Sequence, residues 1–189
     1  MSAEGSLNPH LEDVIHDEFA DRPRARGPLT RVNAVIARFA MYLVVVGLLV
    51  ITVIVFYQVF GRYVLNNSPT WTENLALVLV LYVTLIAAAV GVRDAGHIGM
   101  ESLLILAPEH IRDRIEVLIH VLVALFGAAM VYNGAVLGLS VMSYKIPNLN
   151  LPEGVRYIPL VISGLLIVSF SIEHIIALAR GEEVEPAWH

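Results

Sequence analysis

The stretch FGRYVLNNSPTWTEN, residues 60–74, separates two long apolar runs. Arg62 closes the first run, and Trp71 and Glu73 open the second. Pro69, within Asn-Asn-Ser-Pro-Thr, favours a turn. The stretch therefore reads as the tip of a helical hairpin. Its cation stands at the C-terminus of one helix and its carboxylate at the N-terminus of the next. Each is on the favourable side of the helix dipole, worth about 0.3–1 kcal/mol. Tyr63 and Trp71 are amphipathic residues that suit headgroup depth in a membrane. The two charges thus mark one edge of a bilayer, provided the flanking runs are long enough to cross it.

Four runs have that length: about 39–60, 75–92, 117–141 and 158–179. A crossing helix needs roughly 20 mostly apolar residues, and none of the four holds a Lys or Arg. The whole chain of 189 residues is 57% hydrophobic, with a mean hydropathy of +0.72. A soluble domain of this size needs a charged surface, and buried helices of a soluble protein show a polar face that these runs lack. The first run starts too far along the chain, and is too long, for the core of a cleaved signal peptide. Cysteine is absent, which excludes disulfides, thiolate chemistry and cysteine metal sites. A net charge of -5 gives no case for nucleic-acid binding.

The expectation is an all-α integral membrane protein with four transmembrane helices in residues 35–180, between tails at 1–34 and 181–189. Basic residues set its orientation. Arg22, Arg24, Arg26, Arg31 and Arg38 precede the first run, Arg93, Arg112 and Arg114 lie between the second and third, and Arg180 follows the fourth. Against these nine stand Arg62, Lys145 and Arg156 on the other side. The positive-inside rule then places both termini in the cytoplasm. In the tail, Leu11, Val14, Ile15 and Phe19 have the spacing of a short amphipathic helix. Between the second and third spans, Ile98, Met100 and Leu103–Leu106 are too apolar for free solvent and too few to span, so this segment is expected to lie in the membrane interface. Pro108 suits the first turn of a long third helix that begins outside the hydrocarbon, because residues 109–116 are largely charged.

Ionisable groups near mid-membrane are costly and usually functional, and no span has one at its centre. Glu116 and His120 lie near the start of the third span, and Glu173 and His174 near the end of the fourth. Helices three and four run antiparallel, so the four residues share a depth. A metal site or a bis-histidine haem is one reading; hydrogen bonding between helices at the inner face is the other. Gly134 and Gly138 form a GxxxG and Ala87 and Gly91 a small-xxx-small pair, spacings that let helix backbones approach. No phosphate-binding loop, nucleophile elbow or HExxH is present, so an enzyme is not expected.

Three stretches carry a resemblance. The first is RYVLNNSPTWTEN, with Arg62, Tyr63, Ser68, Trp71 and Glu73. The second is GVRDAGHIGMESL, with Arg93, Gly96, His97, Ile98 and Glu101. The third is LNLPEGVRYIPL, with Leu149, Pro152, Tyr157 and Pro159. In this order, among four spans, they resemble the small membrane subunit of tripartite ATP-independent periplasmic (TRAP) transporters, the DctQ-like family. The chain departs from the family pattern at Leu65, where an aromatic is common, at Asn74, where a second acid is common, and at Glu101, where Asp is usual. The resemblance implies an accessory subunit in the bacterial inner membrane. Its partners would be a large membrane subunit, which carries the substrate and coupling-sodium sites, and a periplasmic binding protein that captures an organic acid, a dicarboxylate or a sugar acid. The small subunit would need no cofactor or metal of its own. Two alternatives stay open: a haem-bearing membrane anchor of a redox complex, and a small dimeric exporter, which wants a mid-helix carboxylate. The polar end GEEVEPAWH is expected to be a free tail.

Overall fold

A computed structural model describes residues 27–67, 69–94, 109–182 and 184, with the backbone alone for 109–113. It contains helices α1 (Pro28–Tyr63), α2 (Trp71–Asp94), α3 (Glu109–Ser140) and α4 (Ile158–Arg180), the last entered through a 3-10 turn at Glu153–Tyr157. All four are long and apolar enough to cross a membrane. The described residues include no strand, only an isolated bridge between Lys145 and Pro152. The expected amphipathic helix at Leu11–Phe19 and the interfacial segment after α2 lie outside the described residues.

The helices extend past the apolar runs. α1 starts at Pro28, inside what the sequence reading assigned to the 1–34 tail, and α2 starts at Trp71 rather than near 75. Apolar counting finds only the part of a helix that matches hydrocarbon, whereas a nucleated helix continues through polar residues at little cost. Pro28 fixes the start of α1, since its missing N–H belongs to the first turn, where no intrahelical partner exists. The 36 residues of α1 rise about 54 Å, against a hydrocarbon core of about 30 Å. α3 begins at Glu109, within the charged stretch, as expected.

The helices form one layer in the order α1, α2, α4, α3. α4 is the most enclosed of the four and α1 the least. One face of the layer gathers the start of α1, the end of α2, the first turns of α3 and the end of α4; it is called here the terminal face. The opposite hairpin face carries the 64–70 turn and the α3–α4 connection. α1 and α2 meet through small and branched residues: Ala40 and Val44 pack with Val83, Ile86 and Val90, and Met41, Ile51 and Ala87 lie against them.

α3 and α4 approach more closely, along glycines. A Cβ on Gly164 would stand 2.7 Å from the Gly127 carbonyl oxygen, and one on Gly134 3.0 Å from Val161. Gly138 faces Tyr157, and Gly154 faces the Gly138 carbonyl. Gly134 and Gly138 therefore do pack, as their spacing suggested, and Gly127 with Gly164 extends the seam toward the terminal face. The α2 pair is corrected in part. Ala87 packs on α1, but a Cβ on Gly91 would meet no described atom within 4 Å. At that level Val90, on the other side of the Ala87 line, makes the contact.

Gly164→Ala forces a methyl group against backbone and should lower stability by about 1–3 kcal/mol. Gly91→Ala meets no described atom and has better helix propensity, so it should leave stability unchanged or slightly raised. Thermal unfolding of the two purified variants in detergent checks the contrast; equal loss in both would remove the close-packing account.

Candidate functional site

At the terminal face all four helices contribute to one buried polar cluster. Arg93, in the last turn of α2, is only 1% exposed, and Glu173 of α4 2%. The guanidinium reaches both carboxylate oxygens, with Nη2 3.3 Å from Oε1 and Nε 3.4 Å from Oε2. Its Nη1 donates to Asp94 Oδ1 at 3.1 Å, and its plane lies 6.0 Å from the Phe170 ring centroid. From α1, Asn33 Nδ2 donates to Glu173 Oε2 at 2.8 Å, while Asn33 Oδ1 accepts from the Ser169 hydroxyl at 2.9 Å. Forked guanidinium–carboxylate contact gives both strength and a fixed orientation. One carboxylate thereby ties α1, α2 and α4 together.

His174 carries the cluster toward α3. Its Nε2 lies 3.0 Å from the Arg93 carbonyl oxygen. A carbonyl only accepts, so the proton of the ring sits on Nε2. On its other side the ring stacks on His120 of α3, centroids 4.5 Å apart and planes 4° from parallel. Glu116, one turn before His120, is also buried. The shared depth of Glu116, His120, Glu173 and His174 is therefore real. Face-to-face imidazoles do not suit a bis-histidine haem, because their lone pairs lie in parallel ring planes and do not converge on an iron between them. Nor do the described residues hold any group of three or more metal-ligating side chains. What this arrangement can do chemically is hold helices in register.

The hairpin face carries the opening motif. Arg62 and Glu73 are exposed at the two lips of the turn and make no hydrogen bond or ion pair with any described residue. Tyr63 and Trp71 are exposed as well, and Trp71 leans on Tyr57 with centroids 6.4 Å apart. The turn itself is held from within. Asn67 N–H donates to the Gly61 carbonyl at 3.0 Å, and the Thr72 hydroxyl donates to the Pro69 carbonyl at 2.6 Å. Gly61 is required there: a Cβ would stand 2.9 Å from the Asn67 oxygen. Asn66 adopts a φ of 52°, a left-handed conformation that asparagine tolerates.

The third motif builds the approach to α4. Asn148 and Asn150 take left-handed backbone, so that the Ile146 N–H meets the Leu151 carbonyl at 2.8 Å and the Ile146 side chain is buried. Leu149 lies within this loop, Pro152 caps the 3-10 turn, Tyr157 ends it, and Pro159 is buried in the first turn of α4. Two bonds tie this connection to α2: Asn74 Nδ2 donates to the Pro147 carbonyl at 3.1 Å, and the Tyr82 hydroxyl to the Val155 carbonyl at 3.0 Å. Arg156 Nη2 also reaches Asn74 Oδ1, at 3.5 Å. Asn74, a departure from the family pattern, is thus a bridging residue. Ser68, Gly96, His97 and Glu101 lie outside the described residues. Sequence reasoning missed Asn33, Asp94, Asn74 and Tyr82. Asn33 had a signal, since it shares the helical spacing of Ala37, Ala40 and Val44.

Four membrane-length helices, an exposed Arg-Tyr and Trp-x-Glu hairpin and a buried arginine at the end of α2 set the context for comparison. Residues 51–181 match the family described as tripartite ATP-independent periplasmic transporters, DctQ component. The chain belongs to this family. It is a small membrane component of a TRAP transporter, a multi-pass protein of the inner membrane, and not an enzyme. A comparison with curated proteins finds no match. The DctQ match begins inside α1 and ends just past α4, so it takes in the whole polar cluster except Asn33.

Removing one partner of a buried ion pair leaves the other charge uncompensated, which costs about 3–5 kcal/mol. Glu173→Ala should therefore be strongly destabilising in this DctQ subunit. The double variant Arg93→Met/Glu173→Leu removes both charges at similar volume and should be more stable than the single one. Detergent unfolding of the three proteins measures the order, and a double variant less stable than Glu173→Ala would refute it.

Proposed function

We propose that this subunit is a structural partner in sodium-driven uptake of an organic acid, a dicarboxylate or a sugar acid. It packs against the large membrane subunit and stabilises it in the bilayer, with both chain termini on the cytoplasmic side. The observation that carries this reading is where the buried charge goes. Arg93 and Glu173 bond to each other and to Asn33 across three helices at one end of the layer. A transport site needs ionisable or irregular polar groups near mid-membrane, offered to a solute; these side chains are instead spent on one another. Polar groups farther along the helices turn back on their own backbone, as Thr52 does to the Leu48 carbonyl and Asn133 to the Ala129 carbonyl. The substrate and coupling ions then belong to the large subunit.

Proteoliposomes holding this subunit alone should show no sodium-driven solute uptake, and uptake should appear only with the large subunit and binding protein added. Transport by the isolated chain at the rate of the full system would end the accessory reading. For orientation, a C-terminal alkaline phosphatase fusion should be inactive and a C-terminal fluorescent protein bright; an active phosphatase would invert the layer.

The exposed pair at the hairpin face fits docking as well as capping. Arg62 and Glu73 each lie on the favourable side of a helix dipole, yet their polar groups remain available to a neighbour. Arg62→Ala and Glu73→Ala should insert normally and recover less of the large subunit on co-purification. Full recovery with both would restrict the pair to capping the hairpin.

A further inference from the structure

Where α4 ends, its backbone closes on itself. Gly181 takes a φ of 66°. The Gly181 N–H donates to the Leu178 carbonyl at 3.1 Å, and the Glu182 N–H to the Ala177 carbonyl at 2.9 Å. This left-handed cap satisfies the last carbonyls of the helix without a side chain. Arg180 and Glu182, on either side of Gly181, are therefore not needed for capping. Both line a cavity of about 140 Å³ between the end of α4 and the start of α1. Neither side chain makes a hydrogen bond or ion pair with any described residue, the other included.

The charges around the cavity are mismatched as they stand. The Arg180 guanidinium reaches toward the start of α1: a Cβ on Gly27 would stand 4.0 Å from its Nη1. That start has no capping side chain and no acid in its first turn, so it presents partial positive charge of its own. A cation beside the positive end of a helix is unfavourable unless an anion stands between them. Glu173 also lines the cavity, but its oxygens are taken by Arg93 and Asn33. Glu182 contributes a carboxylate that Arg180 does not pair. The cavity thus offers donors to an anion and an acceptor to a cation, without the two meeting. One small group that carries both charges answers both.

The surroundings select a lipid over a soluble zwitterion. Leu29 and Ile176 line the same cavity and are 37% and 38% exposed. Ile172 lies one turn from Ile176 along α4, and Ile36 two turns from Leu29 along α1; both are exposed as well. Apolar side chains therefore lead from the cavity along both helices toward the hydrocarbon, the course of an acyl chain below its headgroup. At about 54 Å, α1 covers the roughly 40–45 Å of a bilayer with its headgroups at a tilt within the ordinary range. Its start then lies at headgroup depth.

We propose that this cavity is the seat of one phospholipid headgroup. Its phosphate lies between the Arg180 guanidinium and the first turn of α1, and its primary ammonium, two carbons away, meets Glu182. Ethanolamine phospholipids have that chemistry. A primary ammonium donates hydrogen bonds to a carboxylate, whereas a trimethylammonium has no N–H to give and a glycerol headgroup brings no cation. The bound lipid braces the start of α1 against the end of α4, just beyond the bond from Asn33 to Glu173.

The test uses the full chain in mild detergent, equilibrated with ethanolamine, choline and glycerol phospholipids of identical acyl chains and weighed by native mass spectrometry. The unmodified chain should retain the ethanolamine lipid in preference to the other two. Arg180→Gln should lower retention of all three about tenfold, the loss of one charge-assisted bond. Glu182→Gln should keep binding and lose the preference for ethanolamine over glycerol. Arg114→Gln removes an exposed arginine of α3 that does not line the cavity, and should change neither quantity. Equal retention of the three headgroups by the unmodified chain would overturn the proposal without recourse to any variant. So would an equal loss with Arg114→Gln, which would assign the binding to surface charge in general. A last arm adds phosphoethanolamine without acyl chains to the delipidated chain. It should protect against thermal unfolding far less than the lipid does, and equal protection would make the ligand a soluble phosphate compound and overturn the lipid assignment.

Discussion

The Arg93–Glu173 pair is the contact on which the layer depends. In a bilayer, apolar helices gain little by leaving lipid for one another, since lipid tails are as apolar as leucine. A row of four helices held by apolar contact alone would be free to slide. Glu173 opposes this because it takes two bonds from α2 and one from α1 at a single carboxylate. His174, the next residue, bonds the α2 backbone through the Arg93 carbonyl and stacks on α3. Two adjacent side chains on α4 thus reach every other helix. The cost of taking these charges out of water is limited by their position at the end of the layer, where headgroups and water are near, and by the density of bonds they make with each other.

Given that anchor, each remaining contact uses the chemistry suited to its depth. Along α3 and α4 the glycines bring backbones together, so packing replaces the absent hydrophobic drive. Between α1 and α2, alanine and valine do the same less tightly. At the hairpin face hydrogen bonding returns, with Asn74 and Tyr82 of α2 holding the carbonyls of Pro147 and Val155. Polar bonding at both ends and apolar packing between them fit the structural role proposed above better than a conduit, which needs polar groups offered to a solute near mid-membrane.

Much of this was legible in the sequence. The four spans follow from length and composition, and Gly134 and Gly138 from spacing alone. The family could be named from three short motifs, of which Arg62, Tyr63, Trp71 and Glu73 form one. The helix ends were not legible, because hydropathy stops at the hydrocarbon boundary while α1 continues back to Pro28. Nor was the full reach of Arg93. A basic residue at the end of an apolar run reads as a headgroup anchor, and only the tertiary arrangement turns it inward onto Glu173. The same limit hid the partner of Asn33, because the carboxylate it bonds, Glu173, lies 140 residues later on the last helix. Pairings between distant elements leave no mark in local periodicity. Gly91 shows the reverse: it completes a small-xxx-small spacing in sequence, yet a Cβ there would meet no described atom within 4 Å.

The position of Glu173 also bears on why the two edges of the layer differ. α4 is interior: Glu173 bonds to α2 and α1, and His174 bonds the α2 backbone and stacks on α3. α1 has only one neighbour along most of its length and meets α4 only near Asn33 and Ala37. Beyond that point α2 is the described helix that holds α1, with Ala40, Met41, Val44 and Ile51 in the cluster formed by Val83, Ile86 and Val90, and most of the bulk of α1 lies on its exposed side. α3 is fixed along its glycine seam and turns leucines together with Phe126 and Tyr132 outward. The two edges therefore differ in attachment: close backbone contact holds α3 along its length, whereas side-chain contact with α2, and Asn33 at one end, hold α1.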